Sequence, residues 1–589
     1  MAFLFSSKFA GVSDPARFCE AARSAAGVGK GPTDAQEAVG GHGVAHEMSE
    51  GEQSARVGEG KEGREFDYVI CGGGTAGCVL ASRLSEDPNV TVLLVEAGES
   101  DQKQIFSRIP SGWGNLWKTP AEWNFETVPQ AELGGRELYQ PRGKMLGGCS
   151  SINAQIYQHC SPEDYDLWQK MGADGWSYND LKPYFTKAEK FTPNPLHQLD
   201  EAKRGKDGVW CISYPPTNEM SSAMIEAGPT VGVPKNPDLN VETNSSGITR
   251  FQAIVDADGT RSSTSAAYLP SSVFNGRKNL SILTGTTCTR LVLSASANQD
   301  GKKKVTAIEL GQTAYGPRWY TRARKEVIVC QGSFGSPQLL LASGIGGKET
   351  LEKAGVQQQL KLDGVGENLK DHVLVTIAFT AKKGTSCEWM KSPVKTLPSL
   401  VRWLANGSGP LGTNLAEVGA FVRSSDVQPD GTVKTGSGGE KEGEMNASGE
   451  TSADLEIINA PLYFVHHALT PPPAGAETND FFTMGAVILK PFSTGSVTIK
   501  DGDAFEKPMI DPKYLSDERD KKVMLAGLRL LRRLSLTSPL KGYLISVANG
   551  PGGKVMSLDE WEQASDETLV KLVEEYGETI YHPMGTCKM

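Results

Sequence analysis

The stretch FDYVICGGGTAG (residues 66–77), followed by VTVLLVE (residues 90–96), decides how this chain is read. Phe66–Cys71 is a short apolar run bounded by glycine, as expected of a buried strand. Thr75–Ser85 then spaces Ala76, Val79, Leu80 and Leu84 near a helical period, and Val90–Val95 is a second buried strand. Strand, glycine turn, helix and strand within about thirty residues make a βαβ unit.

The turn holds a GxGxxG pattern at Gly72, Gly74 and Gly77. The pattern alone is weak, because 66 glycines in 589 residues give roughly 0.8 matches by chance. Two further matches exist, Gly58/Gly60/Gly63 in charged sequence and Gly407/Gly409/Gly412 after a helix-like segment. Only the middle one follows a strand, opens a helix and has an acid, Glu96, at the end of the next strand. Gly72 permits the tight turn, Gly74 a close approach to a pyrophosphate, and Gly77 close packing of helix on strand. The helix N-terminus offers unpaired N–H groups to phosphates, and Glu96 offers a carboxylate to ribose hydroxyls. This signature specifies a dinucleotide without separating NAD from FAD.

Further along, KEVIVC (325–330) reads as another buried strand, leading into a helix start at Gly335–Leu341 with Pro337 near its first turn. Ala486–Lys500 reads as alternating strand in a second domain. The fold class is therefore α/β with an α+β second domain: a Rossmann-like unit and an antiparallel-sheet substrate domain. Residues 1–65 read as a disordered extension. Residues 66–385 read mainly as the dinucleotide domain, with excursions around 160–250. Residues 386–540 read mainly as the substrate domain, with a mobile polar insertion at 424–452. Residues 541–589 read as a return to the first domain.

Net charge is −10 and no long basic stripe is visible, which argues against a nucleic-acid partner. No apolar run approaches the roughly 18–20 residues needed to span a bilayer. Ten scattered cysteines without CxxC pairs suggest neither a disulfide scaffold nor a metal site, and favour a reducing, intracellular compartment with organelle import left open.

Four segments carry a resemblance. PRGKMLGGCSSIN (141–153), GSFGSPQLLLASGIG (332–346), VGENLKDH (365–372) and YHPMGTCKM (581–589) are similar, in order, to signatures of the glucose-methanol-choline (GMC) oxidoreductases, across nearly all of Phe66–Met589. The resemblance implies FAD as the cofactor. It places Met145, Gly148 and Asn153 along the flavin and its pyrophosphate, and Cys288 where a backbone group meets the adenine. Ile152 stands where some members carry a flavin-linking histidine, which implies non-covalent FAD.

The resemblance also implies an activity: oxidation of a small-molecule alcohol by hydride transfer to flavin N5, with His582 as the proton acceptor. An imidazole near pKa 6.5 suits that task. His466 and His467 follow the apolar run LYFV (462–465) and are candidates for shaping the substrate site. His159, His197 and His372 show no partner pattern and read as structural. Trp113, Trp117 and Trp123 read as packing near the flavin. The electron acceptor is not specified. The light-driven fatty-acid decarboxylases of the same family use a cysteine and an arginine beside the flavin, but Ala416 and Ile458 stand there instead. Finally, the resemblance implies a continuation beyond TCKM with a second catalytic His or Asn, so the chain is expected to be truncated, with a catalytically impaired FAD-binding protein as the alternative to an active enzyme.

Overall fold

The computed structural model describes residues 20–21, 65–194, 197, 199–241, 245–298, 301–436 and 448–589. Two large sheets organise them. In the first, Leu280–Leu283, Val92–Val95, Glu65–Cys71 and Arg318–Val329 lie side by side and parallel. The register places Leu283 and Cys71 beside Val95, and Val329 beside Cys71, so all four strands end at one level. Residues leaving a parallel sheet at that edge form its ligand crevice. The first half of Arg318–Val329 instead pairs antiparallel with Val305–Gly311, which pairs with Thr287–Leu293.

The helix Thr75–Leu84 packs on this sheet through Gly77, Cys78, Ala81 and Ser82. The stripe expected from Ala76, Val79, Leu80 and Leu84 is rotated, and Ala76 is exposed. Small residues set this face because the helix sits too close to the strands for leucines. A Cβ at Gly77 would lie 2.0 Å from the Gly72 carbonyl oxygen. The helix expected to start near Gly335 spans Gly332–Ala342, so Pro337 is interior to it.

The second sheet is antiparallel. Its order is Met556–Ser557, Leu544–Val547, Val373–Ala381, Phe481–Ile488, Leu455–Ala460, Val418–Val422 and Gly247–Arg250, with Gly577–Thr579 also paired to Val373–Ala381. The amphipathic helix Glu518–Ser535, capped by the Asp517 side chain, covers one face with Leu528, Leu531 and Leu534. Phe481–Ile488 is buried along its whole length because both of its faces are covered, whereas Ser496–Thr498, within the stretch expected to alternate, does alternate half-buried and buried residues.

Three expected boundaries shift. Val373–Ala381 is a central strand of the second sheet, so the first domain's stretch ends near 372 rather than 385. Residues 544–579 also belong to the second sheet, and only the last segment returns to the first domain. Within the stretch expected to be mobile, residues 424–436 pack as a turn, with Val427 bridged to Val433 and the Val433 N–H donating to the Val231 carbonyl at 2.8 Å. Residues 437–447 lie outside the described residues. So does the 1–65 extension, apart from Glu65 and Glu20–Ala21, whose backbone pairs with Trp319 and Tyr320.

Candidate active site

A cavity of about 850 Å³ opens where the four parallel strands end. This is at the upper end of the range for ligand pockets, about 300–1,000 Å³. The residue following each of three strands, Gly72, Glu96 and Cys330, lines it. Backbone bonds continue the sheet to this rim: Gly72 N–H to Val95 at 2.9 Å, Cys330 N–H to Cys71 at 2.7 Å, and Glu96 N–H to Leu283 at 2.8 Å.

Absent side chains shape one wall. Gly72 has φ +106°, and a Cβ there would lie 2.5 Å from the Cys330 carbonyl oxygen. Gly148 has φ +51°, and its Cβ would meet the Gly74 Cα at 2.7 Å. The two glycine bends are tied together by Gly147 N–H donating to Gly73 at 2.8 Å and the Thr75 hydroxyl donating to Gly147 at 3.3 Å. A Cβ at Gly74 would meet nothing closer than 3.8 Å, so the space there remains for a ligand.

Glu96 is buried at the rim, and its carboxylate accepts the N–H groups of Gly73 at 2.9 Å and Gly98 at 2.8 Å. Burial pushes its pKa up to about 7, against the pull of those donors and of Lys144. A buried acid beside a Cβ-free bend at a parallel-strand terminus suits the ribose and diphosphate of a dinucleotide.

Of the residues picked from sequence, Gly72, Gly74, Glu96, Gly148 and Cys288 line the cavity. Gly77 does not; it sets the helix against the sheet. Met145 is buried beneath, packed with Leu116, Ala121 and Ile152. Asn153 points elsewhere, its side-chain oxygen accepting from Arg261 at 2.8 Å. Sequence reasoning missed Arg142, Gln331 and Lys370, which also line the cavity. Arg142 and Lys370 lie inside the quoted motifs, but no spacing marks them out.

His582 sits beside the cavity on a segment whose Met584 and Gly585 line it. Tyr581 takes a positive φ of 72°, and the chain then pairs antiparallel with Lys370 through Met584. Arg142 donates to the Tyr581 carbonyl at 2.5 Å, joining this segment to Gly143–Gly148. The Asp371 carboxylate accepts the His582 backbone N–H at 2.9 Å and the Thr579 hydroxyl at 2.7 Å, and also bonds the Tyr514 hydroxyl.

The expectation that His372 has no partner is corrected here. Its Nδ1 lies 3.1 Å from His582 Nδ1, with the rings 82° apart. Burial holds the His372 pKa down to about 4. Packing around its protein side, then His372 and Arg142, push the His582 pKa below its ordinary value. His582 is exposed, so water screens part of that effect.

His467 is buried against the same corner, its Nδ1 2.5 Å from the Tyr581 hydroxyl and its Nε2 3.3 Å from Glu578. His466 faces Tyr576 instead. Trp113 and Trp117 pack with Phe464, and Trp117 also packs with His467 and Tyr581. Trp123 lines the cavity and stacks on Phe125.

Comparison with known proteins identifies the class. The GMC oxidoreductase N-terminal family model matches residues 66–374 and the C-terminal one residues 491–589. "Dehydrogenase str4" of Strobilurus tenacellus is 35% identical over 545 residues, covering 89% of this chain and 86% of that one. "Oxygen-dependent choline dehydrogenase" of Photobacterium profundum is 34% identical over 530 residues, covering 89% and 83%. A structure of formate oxidase from Aspergillus oryzae, described for the effect of a mutation on FAD modification, superposes with a TM-score of 0.75 at 26% identity, covering 90% and 89%. The chain belongs to the GMC oxidoreductase family, whose members are FAD-dependent flavoenzymes acting on alcohols or related substrates. The expected truncation and impairment find no support: the family's C-terminal model matches residues 491–589. Among the described residues no helix is long and apolar enough to cross a membrane.

Proposed function

We propose that this protein oxidises the CH–OH group of a small-molecule alcohol, with His582 as the proton acceptor and Gly72, Gly74, Glu96, Gly148 and Cys288 holding FAD non-covalently. The observation that carries this reading is the junction of the two regions: Arg142, on the cavity wall, bonds the residue before His582. When bound, FAD supplies the acceptor for the hydride leaving the alcohol carbon. His582 removes the hydroxyl proton; the C–H electron pair then leaves as hydride, and a carbonyl product remains. The lowered pKa keeps the imidazole neutral at pH 7, so it can accept a proton. Asp371 fixes the backbone of His582. Ile152, buried and without a nucleophile, supports a non-covalent cofactor. The choline dehydrogenase relatives favour a small alcohol as substrate.

The test is to mix FAD-loaded protein anaerobically with a broad panel of primary and secondary alcohols. At least one should bleach the visible flavin band and yield the matching aldehyde or ketone. Silence across the whole panel would overturn the reading.

A further inference from the structure

Two imidazole nitrogens at hydrogen-bond distance share a single proton. The 3.1 Å separation of His372 Nδ1 and His582 Nδ1 therefore requires one ring to donate and the other to accept. His582 Nδ1 is the atom turned to His372, so for His582 to accept the alcohol proton, as proposed, its free lone pair must stand on Nε2 and its own proton on Nδ1. His372 Nδ1 is then a lone pair, and the shared proton belongs to His582 Nδ1.

We infer that His372 is a positioning residue: accepting at its Nδ1, it fixes His582 in the Nδ1–H tautomer and leaves the His582 Nε2 lone pair to take the alcohol proton. This rests on the proposed role of His582. The order is His372, His582, substrate. The carboxylate of Asp371 is turned to the His582 backbone N–H, Tyr514 and Thr579.

The charged groups near the pair are cationic, Lys490 by His372 and Arg142 by His582. They oppose protonation of either ring before substrate arrives. During the reaction the hydroxyl O–H bond breaks and His582 Nε2 gains the proton. Its Nδ1–H stays donated to His372, so no second proton needs to move.

The test uses FAD-loaded protein with nitrogen-15 histidine. NMR of the wild type should show His582 protonated at Nδ1 and unprotonated at Nε2 above pH 7. His372→Leu removes the acceptor and should scatter His582 between tautomers. It should also slow anaerobic flavin reduction by about 10- to 100-fold, the loss typical when the partner orienting a metal-bound histidine is removed, at unchanged FAD content. His372→Asn, whose amide oxygen can stand near the lost Nδ1, should recover part of the rate.

The inference falls if wild-type His582 carries its proton on Nε2, or if His372→Leu leaves its tautomer unchanged. The wild-type spectrum decides the matter even where a variant does not fold. A wrong tautomer with His582→Ala still slow would sink the relay alone. A right tautomer with His582→Ala still fast would sink the base and spare the relay.

Discussion

The glycine cradle and the histidine corner meet at Arg142 but are built in opposite ways. The cradle is made of backbone and missing side chains, drawn mainly from the strand ends and the loop around Gly148. The corner is made of side chains drawn from residues 371–372 and 581–582. A cradle of this kind fails through steric overlap, whereas a corner of that kind fails through a lost or misdirected proton.

The largest effect should come from separating the glycines of the cradle. Gly77→Ala drives a Cβ to 2.0 Å from the Gly72 carbonyl oxygen, so helix and strand must part. We expect protein without FAD and destabilised by at least about 1–3 kcal/mol. Gly74→Ala meets nothing closer than 3.8 Å, so it should keep the FAD-free fold and lose only FAD affinity. Thermal unfolding with and without added FAD distinguishes the two, and equal behaviour would show that the cradle's glycines share one role.

A smaller effect sharpens the comparison through titration. Burial moves both regions toward neutrality, from opposite sides. Glu96 is raised from 4.5 to about 7, so its contribution to stability is full below 4.5 and is lost as pH rises through 7. His372 is lowered from 6.5 to about 4, so its contribution is full above 6.5 and is lost as pH falls through 4. In protein freed of FAD, the wild type should lose ground to Glu96→Gln as pH rises from 4.5 to 7. It should lose ground to His372→Gln as pH falls from 6.5 to 4. Each change should be no more than about 3 kcal/mol by urea denaturation. Parallel curves would remove burial as the cause.

The same contrast explains what was legible in the sequence. The βαβ unit was readable because strand, bend, helix and acid fall within residues 66–96, where local periodicity and glycine placement have direct steric meaning. Even there the helix face was misread, because Gly77, Cys78 and Ala81 pack where size rather than hydrophobicity decides. Met145 and Asn153 were chosen by motif position, yet one packs beneath the cavity and the other holds Arg261. His372 was unreadable: its partner lies 210 residues away, and the Asp371 contact that holds the His582 backbone forms only on folding. Domain boundaries slipped for a similar reason, since Val373–Ala381 is as apolar as a strand of either sheet.

The proposed division of labour, His582 moving the proton while the cradle holds the cofactor, is tested most directly by stopped-flow flavin reduction by a reactive alcohol in wild type and His582→Ala, matched for bound FAD. We expect the variant to keep its FAD and to be reduced about 10²- to 10⁴-fold more slowly. Reduction within a few-fold of wild type would contradict the claim.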